Sequence, residues 1–150
     1  MDIKKADNGD LTVLAMMYRQ LRTDACYKSV LSLVELEDKM REFITTDGWI
    51  AHLFKDNHQV IGYCLWQERS DAVYIRQFWI MRSQRRQGYG RKFFDDLKLK
   101  FWNEKRLKLE VLYHNQRGES FWRALGFSPY AITLEWEPEG DQNNRGVIEK

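Results

Sequence analysis

Residues 49–81 restrict the fold more than any other part of the chain, because their apolar side chains recur with a period of two. Short polar turns, Asp56-Asn57 and Ser70-Asp71, divide the stretch into segments over residues 49–54, 60–66 and 72–81. Such alternation predicts strands with one buried face, and short turns join strands that run antiparallel. We therefore expect an antiparallel meander at the centre of the fold.

Helical spacing of apolar residues precedes and follows this meander. Asp10 is predicted to cap a first helix, whose apolar face is Leu11, Leu14, Met17, Tyr18 and Leu21. Further helices are predicted over residues 34–44, 88–104 and 119–125, and further strands over residues 2–5, 107–112 and 127–136. This order predicts an α+β domain with a central mixed, mostly antiparallel sheet of six to seven strands and about four helices.

The composition excludes several classes of protein. A hydrophobic content of 43% and a net charge of +2 are typical of one globular domain, predicted over residues 1–137 with a polar tail over residues 138–150. Neither cysteine lies in a metal-binding spacing, so no metal is expected. The chain has no apolar signal-peptide core and no stretch that could span a membrane, so a cytoplasmic location is the default expectation. Only one short basic cluster occurs, so nucleic acid is not expected as a partner.

The chemistry of the chain is concentrated in Arg85-Arg86-Gln87-Gly88-Tyr89-Gly90, between a predicted strand and a predicted helix. Free amides at a helix N-terminus bind anions, and glycines let the backbone approach a phosphate closely. A plain glycine turn is the alternative interpretation. The loop lacks the Lys-Ser/Thr of a Walker loop and the third glycine of a dinucleotide site.

Two spaced segments resemble the GNAT superfamily of acyl-CoA-dependent N-acetyltransferases. Residues 78–91 match its strand, Arg-x-x-Gly-x-Gly loop and helix. The second segment contains Leu109-Glu110-Val111, Asn115, Phe121-Trp122 and Gly126-Phe127, in the order that the family shows. The resemblance implies the GNAT fold, acetyl-CoA as co-substrate and no metal.

The resemblance also implies a role for each matched residue. Backbone groups of Ile80, Met81 and Arg82 are expected to bind the pantetheine arm. The residues expected to hold the diphosphate are Arg85, Arg86, Gln87, Gly88, Tyr89, Gly90 and Arg91. Asn115 and Trp122 are expected to flank the cofactor near its thiol.

Trp122 departs from the family pattern, because many members carry at that position a Tyr that is thought to protonate the departing thiolate. An indole N–H has no useful acidity, so Trp122 cannot replace that Tyr and is either a pantetheine contact or a core aromatic. Tyr113 and Tyr130 are alternative candidates, Tyr113 for catalysis and Tyr130 for substrate binding. Either could instead be a half-buried residue of the sheet.

The base and the acceptor site are also unusual. Tyr74 and Arg76 occupy positions where the family places groups that deprotonate the amine, and a period of two puts both on one face. Tyr74 could order a water. Arg76 could bind a carboxylate of the substrate, or it could instead pair with Glu68.

Acidic residues of the second predicted helix give an opposite indication about the acceptor. Glu35, Glu37 and Asp38 would favour a cationic amine such as an aminoglycoside or a polyamine, unless they form a solvated helix face. The sequence alone does not decide between these acceptors.

The function that these patterns favour is an N-acetyltransferase that moves acetyl from acetyl-CoA to a primary amine by direct attack in a ternary complex. The amine is expected on a small molecule or a peptide. The alternative is a non-catalytic acyl-CoA-binding regulatory module. A homodimer is a candidate assembly, because dimers are common in the family that the sequence resembles.

Overall fold

The structure, a computed structural model, describes residues 1–139. The helices are α1 (Leu11–Asp24), α2 (Leu33–Thr45), α3 (Tyr89–Leu97) and α4 (Gln116–Ala124). The strands are β1 (Asp2–Lys5), β2 (Ile50–Asp56), β3 (Gln59–Glu68), β4 (Val73–Ile80) and β5 (Leu107–Leu109). From residue 140 onward, the predicted tail over residues 138–150 lies outside the described residues. No helix in the described chain is long and apolar enough to cross a bilayer.

The strands form one mixed sheet in the order β1-β2-β3-β4-β5. Strands β2, β3 and β4 make the antiparallel meander that their alternating side chains predict, and β1 adds antiparallel to β2. Strand β5 runs parallel to β4, which requires a crossover connection, and α3 lies in that connection. The predicted α+β fold with a mixed sheet and four helices is therefore confirmed. The predicted number of six to seven strands is wrong, because the described sheet has five.

Residues 127–136 account for the difference, because they form no strand in the described part of the chain. Their alternating apolar side chains, Tyr130, Ile132, Leu134 and Trp136, are 76% to 89% exposed. Alternation predicts a strand because one face of a strand is usually buried against a core. This segment buries no such face, so its sequence period alone was misleading.

The described chain forms two compact units. The larger contains Met1–Leu21 and Leu31–Glu110, and therefore the whole sheet, α2 and α3. The smaller contains Arg22–Val30 and the chain from Val111 onward, including α4. The glycine-containing loop and the strands before and after it thus belong to the larger unit.

In the larger unit, α1 and α2 cover one face of the sheet, which we call the α2 face. The core on this side is apolar and almost fully buried, and includes Leu14, Leu36, Met40, Leu53 and Tyr63. Ser32 starts α2 by accepting a hydrogen bond from the amide of Glu35 at 3.1 Å. The helix presents its apolar stripe to the sheet as the sequence spacing predicts.

Helix α3 covers the opposite face, which we call the α3 face, with aromatic side chains. Phe93 stacks on Phe54 of β2 with 4.6 Å between ring centroids, and lies 5.2 Å from the ring of Phe78 in β4. Phe93 and Phe54 are fully buried. This contact fixes the start of α3, and hence the end of the preceding loop, against the sheet.

The helix predicted over residues 88–104 changes its winding near its end. Helix α3 stops at Leu97 and continues as a π-helical turn, Lys98–Trp102. Residues five apart share a face in such a turn. Leu97 and Trp102 are accordingly both fully buried.

The first helical segment starts earlier than predicted. Asp7 accepts a hydrogen bond from the amide of Gly9, and the carboxylate of Asp10 accepts one from the amide of Asp7. This reciprocal pair is a capping box, which starts a short 3-10 turn that leads into α1. Asp10 therefore closes the box rather than acting as the cap itself.

Candidate active site

Two residues of the loop after β4 lie in the left-handed backbone region. Arg86 has a φ of 61° and Gly88 a φ of 82°. Left-handed residues can turn neighbouring amides toward one side, which is how backbone concavities for anions are built. The loop therefore has backbone conformations of the kind that an anion-binding concavity requires.

Helix α3 begins directly after this loop, with Gly88 at its N-cap position. The amide of Lys92 donates the first hydrogen bond of the helix to the carbonyl of Gly88 at 3.0 Å. The amides of Tyr89, Gly90 and Arg91 belong to the first turn, where no acceptor within the helix exists and the partial charge is positive. Together with the left-handed loop, these amides form a backbone suited to a phosphate.

A glycine is favoured at position 88 because of its left-handed backbone, and not because a side chain would clash with the rest of the chain. A Cβ built at this position meets no atom within 4 Å. A left-handed φ nevertheless costs a residue with a side chain about 1–2 kcal/mol. The open space in front of Gly88 means that a ligand can reach this part of the backbone.

The side chain of Arg85 connects the loop to the end of β4. Its Nε donates to the carbonyl of Ile80 at 2.8 Å, and its guanidinium lies 5.8 Å from the ring centroid of Trp79. The amide of Met81 donates to the carbonyl of Ile61 at 2.7 Å. The Ile80 carbonyl and the Met81 amide thus already have partners within the chain. Arg82, Arg86 and Arg91 are exposed.

Tyr89 anchors the beginning of α3 to the hairpin between β2 and β3. Its hydroxyl donates to the carboxylate of Asp56 at 3.2 Å, and its ring lies edge-on to Phe54. The negative charge of Asp56 raises the pKa of the Tyr89 hydroxyl. The side chain of Tyr89 therefore holds the loop in position, and its amide remains part of the first helical turn.

Strand β4 loses its partner on one edge halfway along its length. Its parallel pairing with β5 ends at Ile75, opposite Leu109. On the other edge, Leu65 pairs with Gln77 while Trp66 pairs with Ile75, so Arg76 is the extra residue of a β-bulge. Bulges commonly stop strand pairing beside active sites. The edge of β4 over residues 76–80, which leads to the glycine-containing loop, is therefore not covered by β5.

Tyr74 lies on the α2 face, and its hydroxyl is held by charged neighbours. It donates to Asp71 at 3.2 Å and lies 3.5 Å from Nζ of Lys108, which itself pairs with Asp71 at 3.0 Å. The hydrogen bond from Lys108 lowers the pKa of Asp71, and the same bond raises the pKa of Lys108. The guanidinium of Arg69 lies 4.3 Å from the centroid of the Tyr74 ring.

Arg76 lies on the same face, as the period of two predicts, with its guanidinium over aromatic rings. It is 4.7 Å from the centroid of Phe43 and 5.4 Å from that of Trp49. The predicted alternative pairing with Glu68 is not formed, because Glu68 accepts from Lys105 at 2.6 Å. Within residues 1–139, the structure gives the Arg76 side chain neither a salt bridge nor a hydrogen bond.

The sequence of residues 15–127 matches the profile of the acetyltransferase (GNAT) family. The chain belongs to this family. The matched region includes β4, the glycine-containing loop and α4. A sequence comparison with curated proteins gives no match.

Solved structures share the fold of this GNAT chain over nearly its whole length. A 6'-N-acetyltransferase for aminoglycoside antibiotics from Acinetobacter haemolyticus, AAC(6')-IG, superposes with a TM-score of 0.74 at 15% identity, covering 93% of this chain and 99% of that one. A possible acetyltransferase from Clostridium difficile gives 0.73 at 16% identity, covering 91% and 97%. The aminoglycoside N-acetyltransferase AAC(6')-Iy, solved with CoA, gives 0.72 at 13% identity, covering 92% and 94%. Identities this low establish a common fold and nothing finer.

The second segment that resembles the GNAT family lies in the smaller unit from Val111 onward. Asn115 caps α4 by accepting a hydrogen bond from the amide of Gly118 at 3.1 Å. A Cβ at Gly118 would lie 2.6 Å from Nδ2 of Asn115, so this cap requires a glycine there. Helix α4 therefore begins three residues before the predicted start, at Gln116, and a cap placed at Asn115 would have predicted this start.

Trp122 packs among aromatic side chains of the same unit. Its ring lies 4.9 Å from Phe121 and 5.2 Å from Phe127, and it is half-buried. Tyr113 is fully exposed at 102%, and Tyr130 is 76% exposed. Trp122 thus packs against two aromatic rings and keeps part of its surface accessible, so both predicted roles stay open.

Three residues that support the site were not singled out by sequence reasoning. Gly62 faces Ile80 across β3 and β4, and a Cβ there would lie 2.5 Å from the carbonyl of Trp79. An isolated glycine within a strand is a known signal of such close approach, so Gly62 could have been found. Asp56 and Trp49 carry no comparable signal, because their roles depend on which side chains the fold brings beside them.

Proposed function

We propose that this GNAT chain transfers an acetyl group from acetyl-CoA to a primary amine by direct attack within a ternary complex. The observation that carries the proposal is the loop of residues 85–91, with its left-handed Arg86 and Gly88 directly before the first turn of α3. It follows an uncovered strand edge, and a ligand can approach it in front of Gly88. A diphosphate fits the loop, and a peptide-like arm fits the strand edge that leads to it.

Different groups of the chain bind different parts of acetyl-CoA. The amides of residues 86–91 bind the diphosphate, and Arg82, Arg86 and Arg91 add exposed positive charge. Arg85 supports the loop through Ile80. The edge of β4 that β5 leaves unpaired hydrogen-bonds the pantetheine arm as an added strand would, near Ile80, Met81 and Arg82, through backbone groups other than the Ile80 carbonyl and the Met81 amide. Asn115 and Trp122 remain the proposed contacts near the thiol.

Acetyl-CoA supplies an activated acetyl thioester at this site. Direct attack by the amine is supported by the state of the cysteines. Cys64 is fully buried, and burial raises its pKa well above the usual value, so it is not a nucleophile that a thioester can reach. Cys26 is exposed, with its Sγ 3.9 Å from the carbonyl of Asp24, and within residues 1–139 no basic side chain forms a hydrogen bond with its thiol.

Tyr74 is proposed to position a water or the amine rather than to remove its proton. Its hydroxyl already donates to Asp71, and Lys108 places a positive charge beside it. Tyr113 is the proposed proton donor to the departing thiolate, because its hydroxyl is fully exposed and Trp122 cannot fill this role. Tyr130 is a proposed contact of the acceptor, which we expect to be a small molecule or a peptide. A homodimer remains a prediction.

The proposal is tested by CoA release in the presence of a panel of primary amines. We expect at least one amine to accelerate release, with initial rates that vary with both substrates in a sequential pattern. Parallel double-reciprocal lines, or an acetylated protein trapped without amine, would contradict direct attack. Tyr113→Phe should lower kcat and leave the dissociation constant of acetyl-CoA unchanged.

A non-catalytic acyl-CoA-binding module is the second candidate, favoured by the engaged Tyr74 hydroxyl and by the indole at position 122. Such a module would bind acetyl-CoA with measurable heat. It would release no CoA with any amine of the panel above the rate of spontaneous hydrolysis. Both candidates therefore bind acetyl-CoA, and only the enzyme releases CoA when an amine is present.

A further inference from the structure

We propose that the acceptor carries a carboxylate close to its reacting amine, and that Arg76 binds this carboxylate. The inference rests on the proposed acetyl transfer and names its substrate class. Arg76 would be a specificity-determining residue of the acceptor site on the α2 face. The acceptor would then be an amino acid, a peptide terminus or a related zwitterion, and not a polycation.

Arg76 has no counter-ion within residues 1–139. Two lysines of the larger unit have carboxylate partners, Lys105 with Glu68 at 2.6 Å and Lys108 of β5 with Asp71 at 3.0 Å. For Arg76, within residues 1–139, no salt bridge or hydrogen bond of the side chain is formed. A half-buried guanidinium has five N–H donors, and a carboxylate satisfies two of them at once.

Two aromatic rings lie close to this guanidinium. Phe43 and Trp49 lie beneath it, and Trp49 is only 9% exposed, so the rings cannot swing away freely. Stacking on rings holds a guanidinium flat and leaves its N–H edge available, which favours bidentate recognition of a planar carboxylate.

A second arginine reinforces the positive potential at this point. The guanidinium of Arg69 lies 5.5 Å from the centroid of the same Trp49 ring and binds the side-chain carbonyl of Gln67 at 3.0 Å. Neither Arg69 nor Arg76 pairs with a carboxylate in the described chain. Two cations that share one aromatic ring attract an anion and repel a cationic acceptor.

The position of Arg76 in the strand connects this anion site to the acetyl-transfer site. Arg76 is the bulged residue directly after Ile75, where pairing with β5 ends. It lies about 13 Å along the strand from Ile80, at 3.3 Å per residue. An acceptor held by Arg76 would therefore present its amine at the start of the uncovered edge, along which the pantetheine arm is proposed to lie.

The acidic residues that suggested a cationic acceptor form contacts with residues of α2 and its N-cap. Glu37 and Asp38 both pair with Arg41, at 3.5 and 2.7 Å, and Glu35 accepts from the hydroxyl of Ser32 at 3.2 Å. These three carboxylates therefore have partners within α2 or at its N-cap. The acidic residues therefore give less support to a cationic acceptor than Arg76 gives to one that bears a carboxylate.

The test compares acceptors that differ only in the carboxylate. Rates of CoA release are measured for α-amino acids and for their α-amides, each expressed per concentration of neutral amine, together with a diamine and an aminoglycoside. The variants are Arg76→Gln, Arg76→Lys and, as a matched control on α2, Arg41→Gln. Circular dichroism and acetyl-CoA binding establish that each variant is folded and binds its co-substrate.

We expect the wild type to prefer carboxylates over the matching amides by about ten- to hundredfold in kcat/KM, the range for a charge-assisted hydrogen-bonded pair. Arg76→Gln should remove this preference through KM, Arg76→Lys should keep part of it, and Arg41→Gln should keep all of it. The inference is overturned if amides or polycations are acetylated as well as carboxylates, or if Arg76→Gln slows all acceptors equally. Acetyl-CoA binding without turnover of any acceptor would instead overturn the proposed acetyl transfer, and this inference with it.

Discussion

The two faces of the sheet differ in how they use the same kinds of side chain. On the α3 face, aromatic rings are packed against one another and bury even a histidine, His52, to 3% exposure. On the α2 face, near β4, rings support the half-exposed guanidinium of Arg76. The α3 face therefore holds a backbone loop in place, whereas the α2 face carries the side chain that we propose binds the acceptor.

This difference indicates that the acceptor part of the site can vary more easily than the cofactor loop. The loop depends on φ angles and on α3 being fixed by contacts such as Phe93 with Phe54, which many sequences can provide. The proposed acceptor binding depends instead on a particular side chain, Arg76, so its exchange for an acid is expected to change which acceptors bind. A family can thus keep one cofactor loop while its acceptors diverge.

The largest expected effect concerns His52 on the α3 face. Its Nδ1 accepts from the indole of Trp66 at 2.9 Å, and its ring stacks on Phe101 at 4.3 Å. Burial, with a smaller contribution from the charge of Lys5, lowers the pKa of His52 to about 4. The unfolded chain takes up this proton near pH 6.5 and the folded chain only near pH 4. The contribution to stability is therefore complete above pH 6.5 and is lost as the pH falls toward 4.

Between pH 6.5 and 4, we expect the free energy of unfolding to fall by on the order of 3 kcal/mol from His52 alone. Urea unfolding at a series of pH values measures this, with His52→Gln as the comparison because glutamine can still accept from Trp66. The difference between wild type and variant should shrink as the pH falls. Parallel pH curves for the two proteins would mean that the α3 face does not bury a neutral histidine.

The next effect is that of Gly62→Ala, which tests how closely β3 and β4 approach behind the loop. The new Cβ would lie 2.5 Å from the carbonyl of Trp79 and 2.8 Å from Cδ1 of Ile80. Because backbone must shift to relieve the first contact, we expect a loss of about 2–3 kcal/mol of stability. Gly9→Ala is the matched control, since its closest contact is a side-chain oxygen at 3.1 Å. Equal stabilities of the two variants would contradict a tightly packed α3 face.

The sequence predicts best those parts of the two faces that depend on residues close together in the chain. The meander of β2, β3 and β4 and the loop at Gly88 are set by local alternation, turns and glycine, so they were predicted nearly to the residue. The bulge at Arg76 was not, because it depends on how Leu65 and Trp66 pair across the sheet. The strand over residues 127–136 was predicted wrongly, since a period of two does not reveal whether a core exists to cover it.

In the site, too, the sequence predicts what depends on local residues and misses what depends on pairing in three dimensions. The resemblance to GNAT proteins found the loop because its backbone conformation leaves a glycine signature in the sequence. The partners of Arg76 could not be chosen from the sequence, where Glu68 was as plausible a neighbour as a substrate. Only three-dimensional pairing, with Lys105 occupying Glu68, separates these alternatives.

A smaller effect is expected from Gly88→Ala, which changes the conformation of the loop and not its packing. The left-handed φ of 82° becomes costly by about 1–2 kcal/mol, with no clash to add to it. Acetyl-CoA binding should weaken about tenfold, since 1.4 kcal/mol corresponds to a factor of ten. Isothermal titration measures this, and the acceptor KM should stay unchanged. A shift in acceptor preference instead would show that the two faces are not independent.

The smallest effect is expected from Glu68→Gln, which tests whether Arg76 is independent of its predicted partner. Glu68 and Lys105 form an exposed pair, with side chains 54% and 42% accessible, so removing the charge should change stability by less than about 1 kcal/mol. Because Glu68 does not contact Arg76, the preference for carboxylate acceptors should be the same in the variant and the wild type. A pH-dependent fall in kcat would instead identify Glu68 as the base that deprotonates the amine. In that case proton transfer would come from a residue on the opposite face of the sheet from Arg76.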